Sequence, residues 1–156
     1  MTAIAHVELL CNSVTALVTP ELYDYGLAAI KKIKSGDQMA KIYRNVKFWP
    51  SVYTAMQVIV NRTTPPHRDN GGCPTHYDLL VSSGMHQGTK FEVEELGVSL
   101  SYSPGTMVSL CGKGFFHQVH QWKGDRVCIA HFIKDTVHDR LDFQRPGWPT
   151  LSLYHC

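Results

Sequence analysis

Two short runs hold the side chains that chemistry needs. Pro65-Pro66-His67-Arg68-Asp69-Asn70-Gly71-Gly72 offers an imidazole and a carboxylate two residues apart, and His117-Gln118-Val119, followed by Gly124-Asp125-Arg126, adds a second imidazole and a guanidinium. Residues two apart on an extended segment project to the same face, so His67 and Asp69 can grip one metal ion while Arg68 points elsewhere. Two imidazoles and one carboxylate on one side of a metal leave its other positions open to small molecules. An arginine buried nearby costs free energy unless an anion neutralises it, and its planar fork suits a carboxylate bidentately.

The His-x-Asp pattern is cheap, and the chain holds a second one at His76-Tyr77-Asp78. Context separates them. The first follows a long alternating strand and a Pro-Pro break and precedes two glycines, so its side chains fall at a strand-loop junction that a ligand can reach. The second opens the apolar run Leu79-Leu80-Val81 and reads as a structural strand entry. His117 and His120 compete for the third ligand position; three apart on an expected strand, they face opposite ways. Arg126 alternates with Cys128, Ala130 and Phe132 on one face of the following strand, leaving Val127, Ile129, His131 and Ile133 on the other. Phe115, His117 and Val119 would line a matching inward face, so His117 is favoured as ligand and His120 is placed at the rim.

A dicarboxylic 2-oxo acid supplies the anion that Arg126 asks for. Its 1-carboxylate and 2-keto oxygens would chelate the metal while the far carboxylate docks on Arg126, which is the constellation of an iron(II)- and 2-oxoglutarate-dependent oxygenase. The metal and co-substrate carry such a reaction, and the protein aims it. The bland alternative makes Arg126 an exposed turn residue after Gly124-Asp125.

The rest of the chain must position these groups. Its 156 residues, 44% hydrophobic and 18% charged, suffice for one core. Thr19-Pro20-Glu21 looks like an N-cap with proline at the first helical position; Leu22, Ala29, Ile30 and Ile33 then give an apolar stripe, with lysines in the last turn before Gly36. The segment from His6 to Val18 reads as strand or short helix. From residue 42 the texture changes to short β-branched and aromatic runs between turn residues: Ile42 to Phe48, Val52 to Asn61, Tyr77 to Val81, Lys90 to Glu94, Val98 to Tyr102, Thr106 to Leu110, Phe115 to Trp122 and Arg126 to Ile133. These strands behind a helix imply a mostly β protein with flanking α, a double-layered antiparallel roll. The expected layout is a single domain, residues 1–156, with helical support over about 1–40, a β-roll core over about 41–135 and an irregular covering segment over about 136–156.

Composition narrows the function classes. No apolar run approaches a bilayer span and the amino end lacks a basic region followed by an apolar stretch, so the expectation is an intracellular protein with no membrane partner. Five scattered cysteines contain no Cys-x-x-Cys pair, which argues against a disulfide framework or thiolate zinc cage. Cys73-Pro74-Thr75-His76 reads as a turn rather than half a zinc site. A formal charge of +2 is too small to declare a nucleic-acid partner. Lys31, Lys32, Lys34, Lys41, Arg44 and Lys47 form a local basic stretch interrupted by Asp37, a phosphate-contacting stripe or, more simply, a solvated helix end and strand edge.

Taken together, Val52 to Asn61, Thr64-Pro65-Pro66-His67-Arg68-Asp69-Asn70-Gly71-Gly72, Tyr77 to Gly84, Tyr102-Ser103-Pro104-Gly105-Thr106 and Gly124 to Ala130 resemble the TET/JBP oxygenase domain in its fungal form, over roughly residues 40 to 148. The resemblance implies a double-stranded β-helix (jelly-roll) oxygenase core packed on an N-terminal helix. It also implies Fe(II), 2-oxoglutarate and O2, with ascorbate as reductant. It makes His67, Asp69 and His117 the metal ligands and Arg126 the co-substrate anchor, with Cys128 beside it. The implied substrate is DNA bearing a methylated base in the nucleus: 5-methylcytosine, oxidised to the 5-hydroxymethyl, formyl and carboxyl stages, or N6-methyladenine, demethylated. Such a base must be flipped into the pocket, where Phe132 would stack on it and Asn70 would contact its edge. Two other readings share the metal site: an oxygenase of small molecules or proteins, and a non-catalytic remnant that binds metal or DNA.

Overall fold

The computed structural model describes residues 2–36 and 46–148, the side chains of residues 2 and 3 excepted. The chain forms two compact units, one drawn from its two ends (up to Thr54 and from Ile133) and one running from Ala55 to Phe132.

In the unit made from the ends, α1 (Thr2–Val18) and α2 (Pro20–Ser35) follow each other across a single residue. The stripe expected on α2 holds: Leu22, Ala29, Ile30 and Ile33 are all buried, with Pro20 in its first turn and Lys32 and Lys34 in its last. Thr19 does stand before the helix, but its hydroxyl donates back to Thr15 O (3.3 Å) and makes no side-chain cap on α2. The segment read as strand or short helix is a full helix. Its pattern is blurred because Leu9, Leu10 and Leu17 are exposed while Cys11 and Thr15 are buried. Ser13 and Thr15, unusual inside a helix, satisfy their hydroxyls on the carbonyls of Leu9 and Cys11. Ala29, Ile30 and Ile33 pack with Leu141, Trp49 and Phe143. A five-residue helix, α3 (Asp135–Asp139), was not expected within the carboxyl-terminal part. Residues 143–148 are irregular, as expected of that tail.

Val46–Phe48, read as the end of a strand, is a 3-10 turn, and residues 42–45 lie outside the described residues, as do Lys41 and Arg44. Other cations of the basic stretch are engaged internally: Lys32 Nζ donates to Leu141 O (2.6 Å), Lys34 Nζ to Trp49 O (2.9 Å), and Lys47 lies over the Phe48 ring. They serve the fold before any phosphate.

The Ala55–Phe132 unit is a double-stranded β-helix of eight strands among the described residues: β1 (Ala55–Val60), β2 (Thr64–His67), β3 (Asp78–Gln87), β4 (Lys90–Val93), β5 (Val98–Ser101), β6 (Met107–Leu110), β7 (His117–Val119) and β8 (Lys123–Phe132). Two antiparallel sheets, ordered β1-β8-β3-β6 and β2-β7-β4-β5, enclose Phe91, Val93, Tyr102, Leu110 and Val119. Several boundaries differ from the sequence reading: β1 starts at Ala55 rather than Val52, and β3 runs on to Gln87 rather than ending at Val81. Pro65-Pro66 is no break but the middle of β2, which tolerates prolines because it is an edge strand that needs ladder hydrogen bonds on one side only. The strand expected over Phe115 to Trp122 shrinks to three residues. β8 starts at Lys123, so Gly124-Asp125 is strand rather than turn.

That last difference has a steric origin. Gly84 and Gly124 lie two register positions apart on the β3–β8 ladder, opposite Arg126 and His86, with φ of +99° and +87°. A Cβ on Gly84 would fall on Asp125 O, and one on Gly124 on Met85 O, so only glycine carries both strands through this crossing. Gly88 has a similar φ of +71° but open space around it. Gly124→Ala is therefore expected to lower unfolding free energy by about 2–4 kcal/mol and Gly88→Ala by about 1 kcal/mol in urea titrations. Equal losses would mean that the ladder yields at Gly124.

Candidate metal and anion site

His67 is the last residue of β2 and His117 the first of β7, and the antiparallel register sets them opposite each other, their rings 4.3 Å apart. Asp69 follows just beyond β2, held by its N–H to Gly112 O (2.9 Å). Its carboxylate oxygens lie 3.5 Å from His67 Nε2 and 3.8 Å from His117 Nε2. All three donor atoms fall within 4.8 Å of one another. Small side-chain movements bring such a set to the distance of about 2.0–2.2 Å that nitrogen and oxygen donors keep from a divalent ion.

The imidazoles are also in the ligating tautomer. His67 Nδ1 is 2.9 Å from Pro65 O and His117 Nδ1 is 3.1 Å from Phe115 O. A carbonyl only accepts, so each Nδ1 carries the proton and each Nε2 keeps its lone pair for a metal. Burial lowers the pKa of His117, which favours the neutral ring. The opening lies on the other side, where the side chains of His67 and Asp69 are 35% and 44% exposed against 7% for His117.

A second carboxyl joins Asp69. Asp78 opens β3, as its strand-entry reading expected, yet its carboxyl takes the N–H of Gly112 and faces Asp69. Burial first, and the charge of Asp69 second, push its pKa up to about 8, which favours the neutral carboxyl of Asp78. Nothing in the spacing of the chain joined these two residues. The geometry that does is Gly112: a Cβ there would fall on Asp69 Oδ2 and within 2.7 Å of Asp78 Oδ2.

Arg126 is not an exposed turn residue. It lies within β8, 2% exposed, its guanidinium 5.6 Å from the Tyr102 ring centroid and 5.4 Å from that of Trp122. Nη1 donates to Arg62 O at a long 3.4 Å, and the buried Nε has no protein partner. Among the described residues no carboxylate forms an ion pair with it. A buried cation so placed is stabilised by a bound anion. Its backbone is fixed from outside the strand by Asn61, whose Oδ1 accepts the Arg126 N–H (2.7 Å) and whose own N–H donates to Arg126 O (2.9 Å).

The two halves of the site are joined by aromatic rings that the sequence reading had not marked. His117 stacks on Phe91 (5.7 Å), Phe91 meets Tyr102 edge-on (5.4 Å), and Tyr102 lies against Arg126. Cys128, on the Arg126 face, is buried 3.6 Å from the Tyr102 hydroxyl, and burial raises the pKa of its thiol and keeps it neutral. Behind them Ser82 Oγ donates to Tyr102 O (3.1 Å) and bonds His86 Nε2 (2.9 Å), while Thr89 O accepts the Tyr102 N–H.

The remaining candidates do not belong to the donor group of His67, Asp69 and His117. His120 is at the rim, as expected, 3.6 Å from Glu92. Asn70 is exposed in the turn after Asp69, and half-buried Phe132 ends β8 opposite Ala55. Cys73 and His76 close a turn, His76 N–H to Cys73 O (3.0 Å).

Comparison with known proteins adds a family and a fold. Residues 6–135 match Tet_JBP, the oxygenase domain of the 2OGFeDO superfamily. The structure of NgTET1 in complex with 5mC DNA aligns with a TM-score of 0.65 at 15% identity, covering 83% of this chain and 48% of that one. The chain thus spans about half the length of that relative, and the likeness is one of fold. A Cupin 2 conserved barrel domain protein from Salinispora arenicola CNS-205 aligns at a TM-score of 0.38 and 17% identity over 59% of this chain and 74% of its own, too loosely to bear on the fold. No curated protein matches the sequence.

Gly112→Ala is expected to force Asp69 and Asp78 apart. It should cost about 1–3 kcal/mol of stability and weaken divalent-metal binding at least about tenfold. Gly71→Ala, with nothing within 4 Å of the added methyl, should change neither. Calorimetric metal titration beside thermal unfolding checks both.

Proposed function

This chain belongs to the Tet_JBP family of 2-oxoglutarate- and iron-dependent oxygenase domains, and from that premise we propose that it oxidises the methyl group of a methylated base in DNA. One observation carries the reading. Two imidazoles with free Nε2 atoms and a carboxylate converge in the same β unit as a buried guanidinium that has no counter-ion among the described residues.

In this proposal His67, Asp69 and His117 hold the iron, and Arg126 takes the far carboxylate of 2-oxoglutarate. When bound, the iron, 2-oxoglutarate and O2 would supply the oxidation of a methyl C–H to C–OH, with succinate and CO2 as co-products, ascorbate serving only as the reductant that keeps the iron ferrous between turnovers. The chain's own residues do the aiming. The Nδ1–H bonds to Pro65 O and Phe115 O keep the two rings turned toward Asp69, and Tyr102 and Trp122 confine the Arg126 guanidinium between their rings. Neutral Cys128 beside it brings no charge to oppose the anion.

The DNA substrate is supported by the family and by the fold shared with NgTET1, whose structure holds 5mC DNA. The methyl group of a paired base is shielded in the duplex, so the base enters flipped, through the side where His67 and Asp69 are exposed. Phe132 stacks on it and Asn70 meets its edge. 5-Methylcytosine passes through hydroxymethyl, formyl and carboxyl stages; N6-methyladenine loses its methyl after hydroxylation. The same reading implies a nuclear protein.

Incubation with iron(II), 2-oxoglutarate, ascorbate and oligonucleotides containing either base, read by nucleoside mass spectrometry, should give oxidised nucleosides together with succinate. Succinate with unaltered nucleosides would overturn the DNA substrate. His67→Ala and Asp69→Ala should abolish metal binding and succinate formation together. Arg126→Ala should keep the metal while raising the KM for 2-oxoglutarate about 30-fold or more, the equivalent of about 2 kcal/mol for a buried charge left without its partner. An unchanged KM would remove Arg126 from the co-substrate site.

A further inference from the structure

Arg68 sits between two of the proposed ligands, yet its guanidinium is engaged elsewhere. Its Nη2 donates to Glu95 Oε1 at 2.6 Å, and its plane lies 4.4 Å from the Phe116 ring. The other carboxylate oxygen, Glu95 Oε2, accepts the backbone N–H of Phe116 at 2.8 Å. Phe116 immediately precedes His117, and its carbonyl accepts the N–H of Glu94 (3.0 Å). Glu95 itself belongs to the turn Glu94–Gly97 that joins β4 to β5, closed by Gly97 N–H to Glu94 O. One carboxylate therefore ties the residue beside His67 and Asp69 to the residue beside His117.

Of the two strands that bring the imidazoles together, β7 is also paired to β4 at Glu92–Gln118 and Val93–His117, whereas β2 is paired to β7 alone among the described residues. β7 has three residues, and β2 pairs with it only at Thr64–Val119 and His67–His117, with an irregularity between. Few ladder bonds then fix the separation of the two rings, and β2 is an edge strand with no partner on its outer side among the described residues. An exposed ion pair contributes little to global stability. This one adds a second, backbone hydrogen bond to the same carboxylate and a cation–π contact to the same arginine, so it constrains position more than it adds stability.

We propose that Glu95 is a positioning residue that sets the spacing of the metal-ligating imidazoles, acting through Arg68 on one side and the Phe116 backbone on the other. It touches neither metal nor substrate. The inference rests on the metal site proposed above, and the test separates the two.

Co(II) is titrated anaerobically into the purified chain, with affinity from calorimetry and ligand geometry from the visible d–d bands. Glu95→Ala, which removes both contacts, should weaken Co(II) binding about 10- to 100-fold and change band intensities. Glu95→Gln keeps an acceptor for Phe116 and should fall between Glu95→Ala and wild type; it decides the question if Glu95→Ala does not fold. Arg68→Ala should resemble Glu95→Gln, and Arg68→Lys should recover part of the loss. Glu92→Ala, on the same sheet but bonded to Gln118, should leave the Co(II) spectrum at wild type. Glu95 variants that unfold at lower temperature but bind Co(II) with wild-type affinity and spectrum would overturn the positioning role alone. A wild-type chain that binds no Co(II), or a His67→Ala variant that binds it equally well, would overturn the metal site and this role with it.

Discussion

His67 can share a metal with His117 only because β2 and β7 pair with those two residues in register, and the arrangement of the surrounding β unit follows from keeping that pairing in place. A slip of one residue would turn one ring to the opposite face of the sheet. The ladder that prevents the slip is short, so the register is reinforced from outside it. Carbonyls two residues upstream fix each ring through Nδ1, and Gly112 anchors Asp69 through its backbone. The Arg68–Glu95–Phe116 contacts span the three segments around the two rings.

The second constraint is a positive charge inside the roll. Arg126 is buried among Tyr102, Trp122 and Cys128, and none of the described residues completes its charge or its Nε–H. Stability alone would favour an apolar residue there. In the proposed function that cation is half of an ion pair whose other half is the far carboxylate of 2-oxoglutarate. Asn61 and the Gly84 and Gly124 backbones fix β8 and with it the position of the guanidinium. The buried network of Ser82, His86 and Thr89 secures Tyr102, the ring that links Arg126 to Phe91 and His117.

How much of this could be read in the chain depends on the distance over which each pattern acts. α2 announced itself through apolar spacing, and His67, Asp69, His117 and Arg126 through strand alternation, because those signals lie within a few residues. The mostly β, two-sheet character also followed from short β-branched runs between turn residues. α1 was blurred by leucines on its exposed face. Pro65-Pro66 looked like a break because the sequence does not say which strands lie at an edge. Asp78, Glu95, Phe116 and the Phe91–Tyr102 contact were out of reach for a further reason: each acts on a residue brought close by the turn of the roll, with no spacing rule joining them. Gly124-Asp125 read as a turn for want of knowing that Met85 and His86 of β3 stood opposite.

The account stands on three donors sharing one ion while Arg126 takes the far end of the co-substrate. Its most direct test is anomalous diffraction at the manganese edge from crystals of the chain grown with Mn(II) and 2-oxoglutarate under anaerobic conditions. The account predicts one strong peak bounded by His67 Nε2, an Asp69 oxygen and His117 Nε2, with a dicarboxylate running from that ion to the Arg126 guanidinium. A peak elsewhere, or a dicarboxylate that leaves Arg126 without an anion, would contradict it.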